Sequence, residues 1–134
     1  MESIYSCPSA TATYDAQNQW AIISFDGYPN TEDHKKMYQA IQVHAKTHKM
    51  VALLMNFKGF KGTFTNLSDW VIDTLRPCVA TGLKQVALVL NDDVFTIFSA
   101  NTSVGKVKLV EVQLFKDMIE AKQWMSQSST VYPS

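Results

Sequence analysis

Two lysines and two threonines lie close together in the stretch NFKGFKGTFTN, which covers residues 56–66. Lys58 and Lys61 carry positive charge, and Thr63 and Thr65 offer hydroxyl groups that can hydrogen-bond to an anion. A helix is predicted to begin just after the stretch, and the free N–H groups at its start would favour the same negative charge. The stretch could therefore hold a phosphate, a carboxylate or a lipid headgroup.

A purely structural interpretation of the same stretch stays open. Gly59 and Gly62 could supply turns with positive φ, a conformation that glycine adopts without steric cost. Asn66 or Ser68 could cap the next helix, because both side chains accept hydrogen bonds from free backbone N–H groups. On this interpretation the stretch only connects a strand to a helix.

Known nucleotide and nucleic-acid motifs do not fit the stretch. A Walker A loop needs a lysine after its last glycine, whereas Gly62 is followed by Thr63. Residues 59–62 spell the GxxG of a KH clamp, but that clamp joins two helices and this one follows a strand. The chain has 12 basic and 12 acidic residues, so it lacks the positive charge of a dedicated nucleic-acid binder. Nucleic acid is therefore not predicted as a partner.

Two histidines have a spacing that could suit a metal ion. His44 and His48 are four residues apart on a predicted helix, so both can face the same side. No Glu or other third ligand accompanies them at a recognised spacing, and no metal or cofactor is predicted. We interpret the pair as positive charge near a helix C-terminus, which the helix dipole favours. His34, near the start of this helix, is expected to face solvent.

No catalytic constellation is evident in the sequence. There is no GxSxG nucleophile elbow, and Cys7 and Cys78 form no CxxC pair. Cys78 follows Pro77 in an apolar helix, so we predict a core residue rather than a nucleophile. A single disulfide between the two cysteines stays open. We therefore expect a protein that is not an enzyme.

Hydrophobic patterning predicts a mixed α/β sheet of five strands in the order ββαβαβαβα, within a single domain covering residues 1–134. The predicted strands cover residues 5–14, 19–27, 51–57, 85–91 and 108–115. The first strand is irregular and interrupted at Pro8, and it pairs with the second as an antiparallel hairpin. The remaining strands are predicted to be parallel. Two of them are continuous apolar runs, which is typical of strands covered on both faces.

Ligands of open α/β sheets collect beyond the carboxyl ends of the parallel strands. The loops there are predicted to lead into helices, one over residues 67–81 and a short one capped by Asp92 or Asp93. Asp117 is predicted to cap the last helix. The candidate ligand- or partner-binding residues at these ends are Lys58, Lys61, Thr63, Thr65, Asn66, Asp69, Trp70, Asp92 and Asp93.

Three segments carry a resemblance to a known group: LLMNFKGFKGTFTNLSDW, GLKQVALVLNDDVF and, above all, VQLFKDMIEAKQWM. Their pattern of strands and helix starts resembles the SpoIIAA-like fold shared by STAS domains and CRAL-TRIO lipid-transfer domains. The likeness is greatest to small bacterial single-domain proteins of this fold. It covers roughly residues 20–125.

The resemblance implies a cytoplasmic bacterial STAS-like module that regulates or binds another protein. Helices chiefly on one face of the sheet are also implied, so a homodimer partner or an apolar ligand would cover the other face. STAS anti-sigma antagonists carry a phosphorylated serine in an Asp-Ser-Ser-Gly-type motif, which would correspond to residues 56–68. That motif is absent here, and no phosphorylation site is predicted.

The alternative function is a carrier of a small apolar or lipid-like ligand. Its pocket would be lined by aromatic side chains near the same strand ends, namely Phe57, Phe60, Phe64, Trp70, Phe95 and Phe98. No apolar run approaches the length of a membrane-spanning helix, so no transmembrane segment is predicted.

Overall fold

A computed structural model describes residues 2–28, 31–61, 76, 78–80, 82–92 and 111–130. Within these residues the strands are β1 (Glu2–Cys7), β2 (Ala10–Asp15), β3 (Trp20–Gly27), β4 (Ala52–Phe60), β5 (Gln85–Leu90) and β6 (Glu111–Phe115). Helix α1 covers Thr31–Thr47 and helix α2 covers Met118–Thr130. All these strands form one sheet in the order β1-β2-β3-β4-β5-β6. The first three strands are antiparallel neighbours, and β3 to β6 are parallel.

The prediction of five strands is wrong, because the described residues form six. The irregular strand expected over residues 5–14 is two strands, β1 and β2, joined by a turn at Pro8 and Ser9. Proline has no N–H to donate and a fixed φ, so it suits this turn better than a strand interior. The predicted antiparallel hairpin is therefore a three-stranded antiparallel unit attached to a parallel sheet.

Helices cover both faces of the sheet. On one face, Met37 and Ile41 of α1 join a core formed by alternate residues of the strands, such as Leu53 and Met55. On the other face, Ala121 and Met125 of α2 pack against the remaining residues of the same strands, which include Trp20, Leu54 and Val89. This arrangement confirms that the apolar runs are parallel strands covered on both faces. It also corrects the expectation of helices chiefly on one face, so α2 rather than a dimer partner covers this part of the sheet.

Two further predictions about the helices concern described residues. The N–H of Ile119 donates to the Asp117 carboxylate at 2.7 Å, which confirms Asp117 as the cap of the last helix. Residues 76 and 78–80 are helical, and the rest of the helix predicted over residues 67–81 lies outside the described residues. Cys78 is fully buried, and burial raises the pKa of its thiol to about 11. Both cysteines are free, so the disulfide left open by the sequence does not form.

Candidate functional site

Strand β4 extends further than predicted and takes in the first part of the NFKGFKGTFTN stretch. Residues 58–60, expected in a loop, belong to β4, and the pairing of β3 with β4 continues to Gly27 and Phe60. The register shifts just before this end, where Ser24 pairs with Asn56 but Asp26 pairs with Gly59. This shift places one extra residue in β4, as in a β-bulge. The strand can therefore continue through a sequence that lacks strict alternation.

The bulge explains why the Phe-Lys-Gly repeat fits a strand. Side chains of a regular strand alternate between faces, so residues three apart point in opposite directions. The extra residue brings Phe57 and Phe60 to the same buried core instead. The ring of Phe25 stacks on Phe57 at 4.6 Å between centroids, and Phe60 contacts both rings edge-on. These three rings form a packed aromatic cluster beneath the ends of β3 and β4.

Gly59 allows the close approach of β3 to β4 at the bulge. A Cβ atom at this position would lie 3.0 Å from the carbonyl oxygen of Phe25 and 3.0 Å from an Asp26 carboxylate oxygen. The suggested role of Gly59 in a positive-φ turn is wrong, since the positive-φ glycines among the described residues are Gly27 and Gly82. Gly62 lies outside the described residues. Residue 59 is therefore glycine because the neighbouring strand leaves too little room for a side chain.

Hydrogen bonds fix the backbone that carries the two lysines. The Lys61 N–H donates to the Gly27 carbonyl at 2.9 Å, and the Lys58 N–H donates to the Asn56 side-chain oxygen at 3.0 Å. Asn91 directly follows β5, and its side-chain amide nitrogen lies 3.3–3.4 Å from the carbonyl oxygens of residues 57, 58 and 60. Both lysine side chains are exposed. The protein therefore presents two exposed cations at a strand end whose backbone is hydrogen-bonded.

Charged and aromatic side chains share this end of the sheet, which we call the carboxyl edge and define by Tyr28, Lys58, Lys61, Asp92 and Lys116. Tyr28 follows the end of β3 and is 74% exposed. Lys116 Nζ lies 3.6 Å from an Asp92 carboxylate oxygen, and these side chains are 57% and 91% exposed. An ion pair so exposed contributes little to stability. The carboxyl edge thus offers one large aromatic side chain among solvated charges.

Three of the predicted site residues, Lys58, Lys61 and Asp92, lie at the carboxyl edge. The other predicted site residues lie outside the described residues: Thr63, Thr65, Asn66, Asp69, Trp70 and Asp93. Two side chains proposed to line an apolar pocket, Phe57 and Phe60, are core residues. The remaining four, Phe64, Trp70, Phe95 and Phe98, lie outside the described residues. Tyr28 lies in one of the strand-end loops that the sequence indicates as the default site, although it is not among the nine candidate binding residues.

His34 is buried, whereas it was expected from the sequence to face solvent. It is 2% exposed, and its Nε2 lies 3.2 Å from Ser9 Oγ in the β1–β2 turn. Burial lowers the pKa of His34, and the nearby Asp33 charge opposes this shift in part. The spacing of His34 from Met37 and Ile41 places it on the buried stripe of α1, which is the signal that could have corrected the expectation.

The Ser9–His34 pair combines a hydroxyl with a base, as nucleophilic catalysis requires. Its position argues for a different role. Both residues are buried, and the Phe25 ring packs against His34 at 5.3 Å between centroids. A substrate would have to displace this packing to reach the hydroxyl. The contact instead joins the β1–β2 turn to the first turns of α1.

A second group of polar side chains lies at the opposite end of the sheet, where β3 and β4 begin. Glu2, His44 and His48 each offer one possible ligand atom, and these atoms all lie within 4.8 Å of one another. The rings of His44 and His48 are stacked at 4.1 Å with an angle of 6° between their planes. Burial and the neighbouring His48 lower the pKa of His44. We call this end the amino edge and define it by Glu2, Tyr14, His44 and His48.

Comparison with solved structures relates the whole arrangement to a known fold. The chain is similar to the crystal structure of an uncharacterized protein of the DUF3478 family, with a SpoIIAA-like fold, from Shewanella loihica PV-4. The TM-score is 0.63 at 13% sequence identity, and the match covers 90% of this chain and 97% of the other. The chain has a SpoIIAA-like fold. This confirms the resemblance drawn from the sequence and, at this identity, concerns the fold alone.

Neither the protein-family models nor the curated proteins contain a match to this chain. Among the described residues, no helix combines the length and the apolar character needed to cross a membrane.

Proposed function

We propose that this SpoIIAA-like domain is a non-enzymatic regulatory or protein-interaction module that binds its partner at the carboxyl edge. The observation that supports this most directly is the exposed Tyr28, which directly follows Gly27, the residue whose carbonyl accepts the hydrogen bond from the Lys61 N–H. Tyrosine is enriched among residues that dominate binding energy at protein interfaces, because it offers a large contact area and a hydroxyl group. An exposed fraction of 74% leaves most of this side chain open to contact.

The lysines specify the chemistry of the partner. Lys58 and Lys61 have exposed side chains, while both of their N–H groups and the Lys58 carbonyl are already hydrogen-bonded. Positive side chains around an aromatic anchor favour an acidic surface on the partner and accelerate its association. The proposed partner is therefore a protein that places an apolar contact on Tyr28 and carboxylates near the two lysines. Such a role requires no catalytic group and agrees with a cytoplasmic location, which stays part of the proposal.

Site-specific cross-linking tests the location of the interface. A photo-reactive phenylalanine analogue is placed at residue 28 in one variant and at residue 43 in a control, because Val43 is 62% exposed on α1, away from the carboxyl edge. The proposal expects a protein adduct from residue 28 and none of the same mass from residue 43. Equal adducts from both positions would place the interface elsewhere.

The cross-linked partner is then purified and its affinity measured by calorimetry. Replacing Lys58 and Lys61 together by alanine is expected to weaken binding by about tenfold or more, as for charges that face an acidic surface. The matched control replaces Lys35 and Lys36, which are exposed on α1. If both double variants weaken binding equally, the partner responds to the net charge of the protein and does not bind specifically at the carboxyl edge.

The alternative of an apolar ligand carrier makes a different prediction. Native mass spectrometry of the purified chain would then show a bound mass in the lipid range. The described residues that could have lined such a pocket, Phe57 and Phe60, are already packed in the core. The same spectrum tests whether the chain forms a homodimer, because a dimer gives twice the mass of the chain.

A further inference from the structure

The amino edge brings together three side chains from two elements that are distant in the sequence. Glu2 begins β1 and lies opposite Tyr14 in the β1–β2 register, whereas His44 lies in the last turn of α1 and His48 directly follows this helix. The Tyr14 ring packs edge-on against both histidine rings, at 4.7 Å from His44 and 5.6 Å from His48 between centroids. The Tyr14 hydroxyl donates to the Lys49 carbonyl at 2.6 Å. Strand register and this tyrosine thus hold the acid and the histidines at one place.

Hydrogen bonds around His48 assign its tautomer. The Thr47 hydroxyl donates to the His44 carbonyl at 3.3 Å, and its oxygen lies 2.8 Å from His48 Nδ1. A hydroxyl has one hydrogen, so Nδ1 must be the donor if both bonds form. The lone pair of neutral His48 is then on Nε2. Metal-binding histidines commonly donate their other ring N–H in this way, which fixes the ring and the tautomer.

His44 contributes a nitrogen that has no hydrogen-bond partner within the part of the chain that the structure describes. Its Nε2 is buried and makes no hydrogen bond among the described residues. A buried polar atom without a partner is costly, and each such atom in a folded protein calls for an explanation. Coordination of a metal ion would satisfy this nitrogen and neutralise the carboxylate of Glu2 at the same time.

We propose that Glu2, His44 and His48 bind one divalent transition-metal ion of the zinc class. Two imidazole nitrogens and one carboxylate form a donor set that suits Zn²⁺, Ni²⁺ or Cu²⁺, whereas Ca²⁺ and Mg²⁺ prefer sites made of oxygen atoms alone. Three protein ligands leave a fourth position of a tetrahedral ion for water or for an external group. The site is separate from the carboxyl edge and does not depend on the function proposed for it.

Small rotations complete the geometry. Ligands about 2.1 Å from a tetrahedral zinc ion lie about 3.4 Å from one another, which is closer than the 4.8 Å limit that encloses the three ligand atoms here. The lone pairs of parallel rings cannot point at the same ion, so the ring of His48 must turn out of the stack with His44. Glu2 and His48 are exposed and free to make this adjustment, while Tyr14 keeps the ring of His44 in place. The bound ion would fasten the edge strand β1 to the end of α1.

Calorimetric titration of the full chain with ZnCl2 tests the proposal directly. The affinity tag is placed at the C-terminus and removed, because tag histidines bind zinc and an N-terminal extension would alter the surroundings of Glu2. The expected result is one zinc ion per chain. His48→Ala is expected to weaken binding at least 100-fold and Glu2→Gln about tenfold, since each removes one ligand of the ion.

Two control variants change exposed residues of α1 that are not proposed ligands. Lys46→Ala changes an exposed residue between the two histidines, and Glu32→Gln removes an exposed carboxylate at the other end of α1. Neither is expected to change zinc affinity by more than about twofold, as for surface residues outside a site. Both test variants change exposed residues, so circular dichroism should show an unchanged fold.

The visible absorption of Co²⁺ provides a second measurement of metal binding, one that is independent of calorimetry. Tetrahedral coordination by nitrogen and oxygen gives Co²⁺ visible absorption bands that the aqueous ion lacks at comparable strength. These bands should appear with the wild type and be lost with His48→Ala. The proposal is overturned if the wild-type chain binds no zinc, or if His48→Ala and Glu2→Gln bind it as tightly as the wild type and the control variants.

Discussion

At the carboxyl edge, the charged side chains follow the ends of neighbouring parallel strands, whereas at the amino edge the three candidate metal ligands come from distant parts of the chain. Lys58 lies in β4 and Lys61 directly follows it, and β4 pairs with β5, the strand before Asp92. Glu2 meets His44 and His48 only because β1 folds back on β2 and α1 packs beside them. The first edge follows a general rule for α/β sheets. The arrangement of the amino edge depends instead on the register between β1 and β2.

The two edges also differ in what lies beneath the exposed side chains. A cluster of three phenylalanines and a backbone bulge support the carboxyl edge, so its geometry depends on close packing. A tyrosine with one hydrogen bond and two ring contacts supports the amino edge. Substitutions should therefore cost more under the carboxyl edge than under the amino edge.

Gly59→Ala should have the largest effect on stability. The new Cβ would approach a backbone oxygen of Phe25 that cannot move without disturbing β3, so we expect a loss of about 1–3 kcal/mol in the free energy of unfolding, as for overpacked sites. Urea denaturation measures this loss. The neighbouring substitution Lys58→Ala is the control and should leave stability nearly unchanged. A loss below about 0.5 kcal/mol for Gly59→Ala would mean that the strands separate easily at the bulge.

Tyr14→Phe should have a smaller effect at the amino edge. The substitution keeps the ring contacts with both histidines and removes the hydrogen bond to the Lys49 carbonyl. The expected loss is about 0.5–1.5 kcal/mol, the usual net contribution of such a bond. Urea denaturation of Tyr14→Phe beside Gly59→Ala compares the two edges directly. If Tyr14→Phe costs more than Gly59→Ala, the proposed ranking of the edges is wrong.

The sequence predicted the parallel core well because its signals are local. The apolar runs around Leu54 and Val89 and the cap at Asp117 can be read without knowledge of distant residues. The turn at Pro8 was also visible, but the residues on both sides were assigned to one strand. Each of these features depends on residues that are close together in the chain.

The features that the sequence did not predict depend on contacts between distant residues. Phe57 and Phe60 are three apart, which contradicts strand alternation until the pairing with β3 introduces a bulge. Glu2 could not be recognised as a partner of the histidines, because no spacing rule connects a strand start to a helix end. His34 is the exception, since its spacing from Met37 and Ile41 places it on the apolar stripe of α1 and is a local signal of burial.

The buried His34 makes stability depend on pH. Burial lowers its pKa in the folded protein, so the unfolded chain binds a proton more readily. The stabilising effect is fully present above the unfolded pKa of about 6.5 and is lost as the pH falls through the lower folded pKa. We expect only a modest effect, because Asp33 opposes the shift. Thermal melting of wild type and His34→Gln at pH 7.5 and 5.5 measures it, and an equal decline in both proteins would assign the pH dependence to other groups.

The smallest effect on stability should come from replacing both lysines of the carboxyl edge by alanine. Their side chains are exposed, and the hydrogen bonds that fix this strand end use backbone atoms and the side chains of Asn56 and Asn91. We expect the free energy of unfolding to change by less than about 0.5 kcal/mol, as for most surface substitutions. Partner binding should nevertheless fall by about tenfold or more if the lysines face an acidic surface. A large fall in melting temperature would show instead that Lys58 and Lys61 stabilise the strand end. The two edges would then differ only in the packing beneath their exposed side chains.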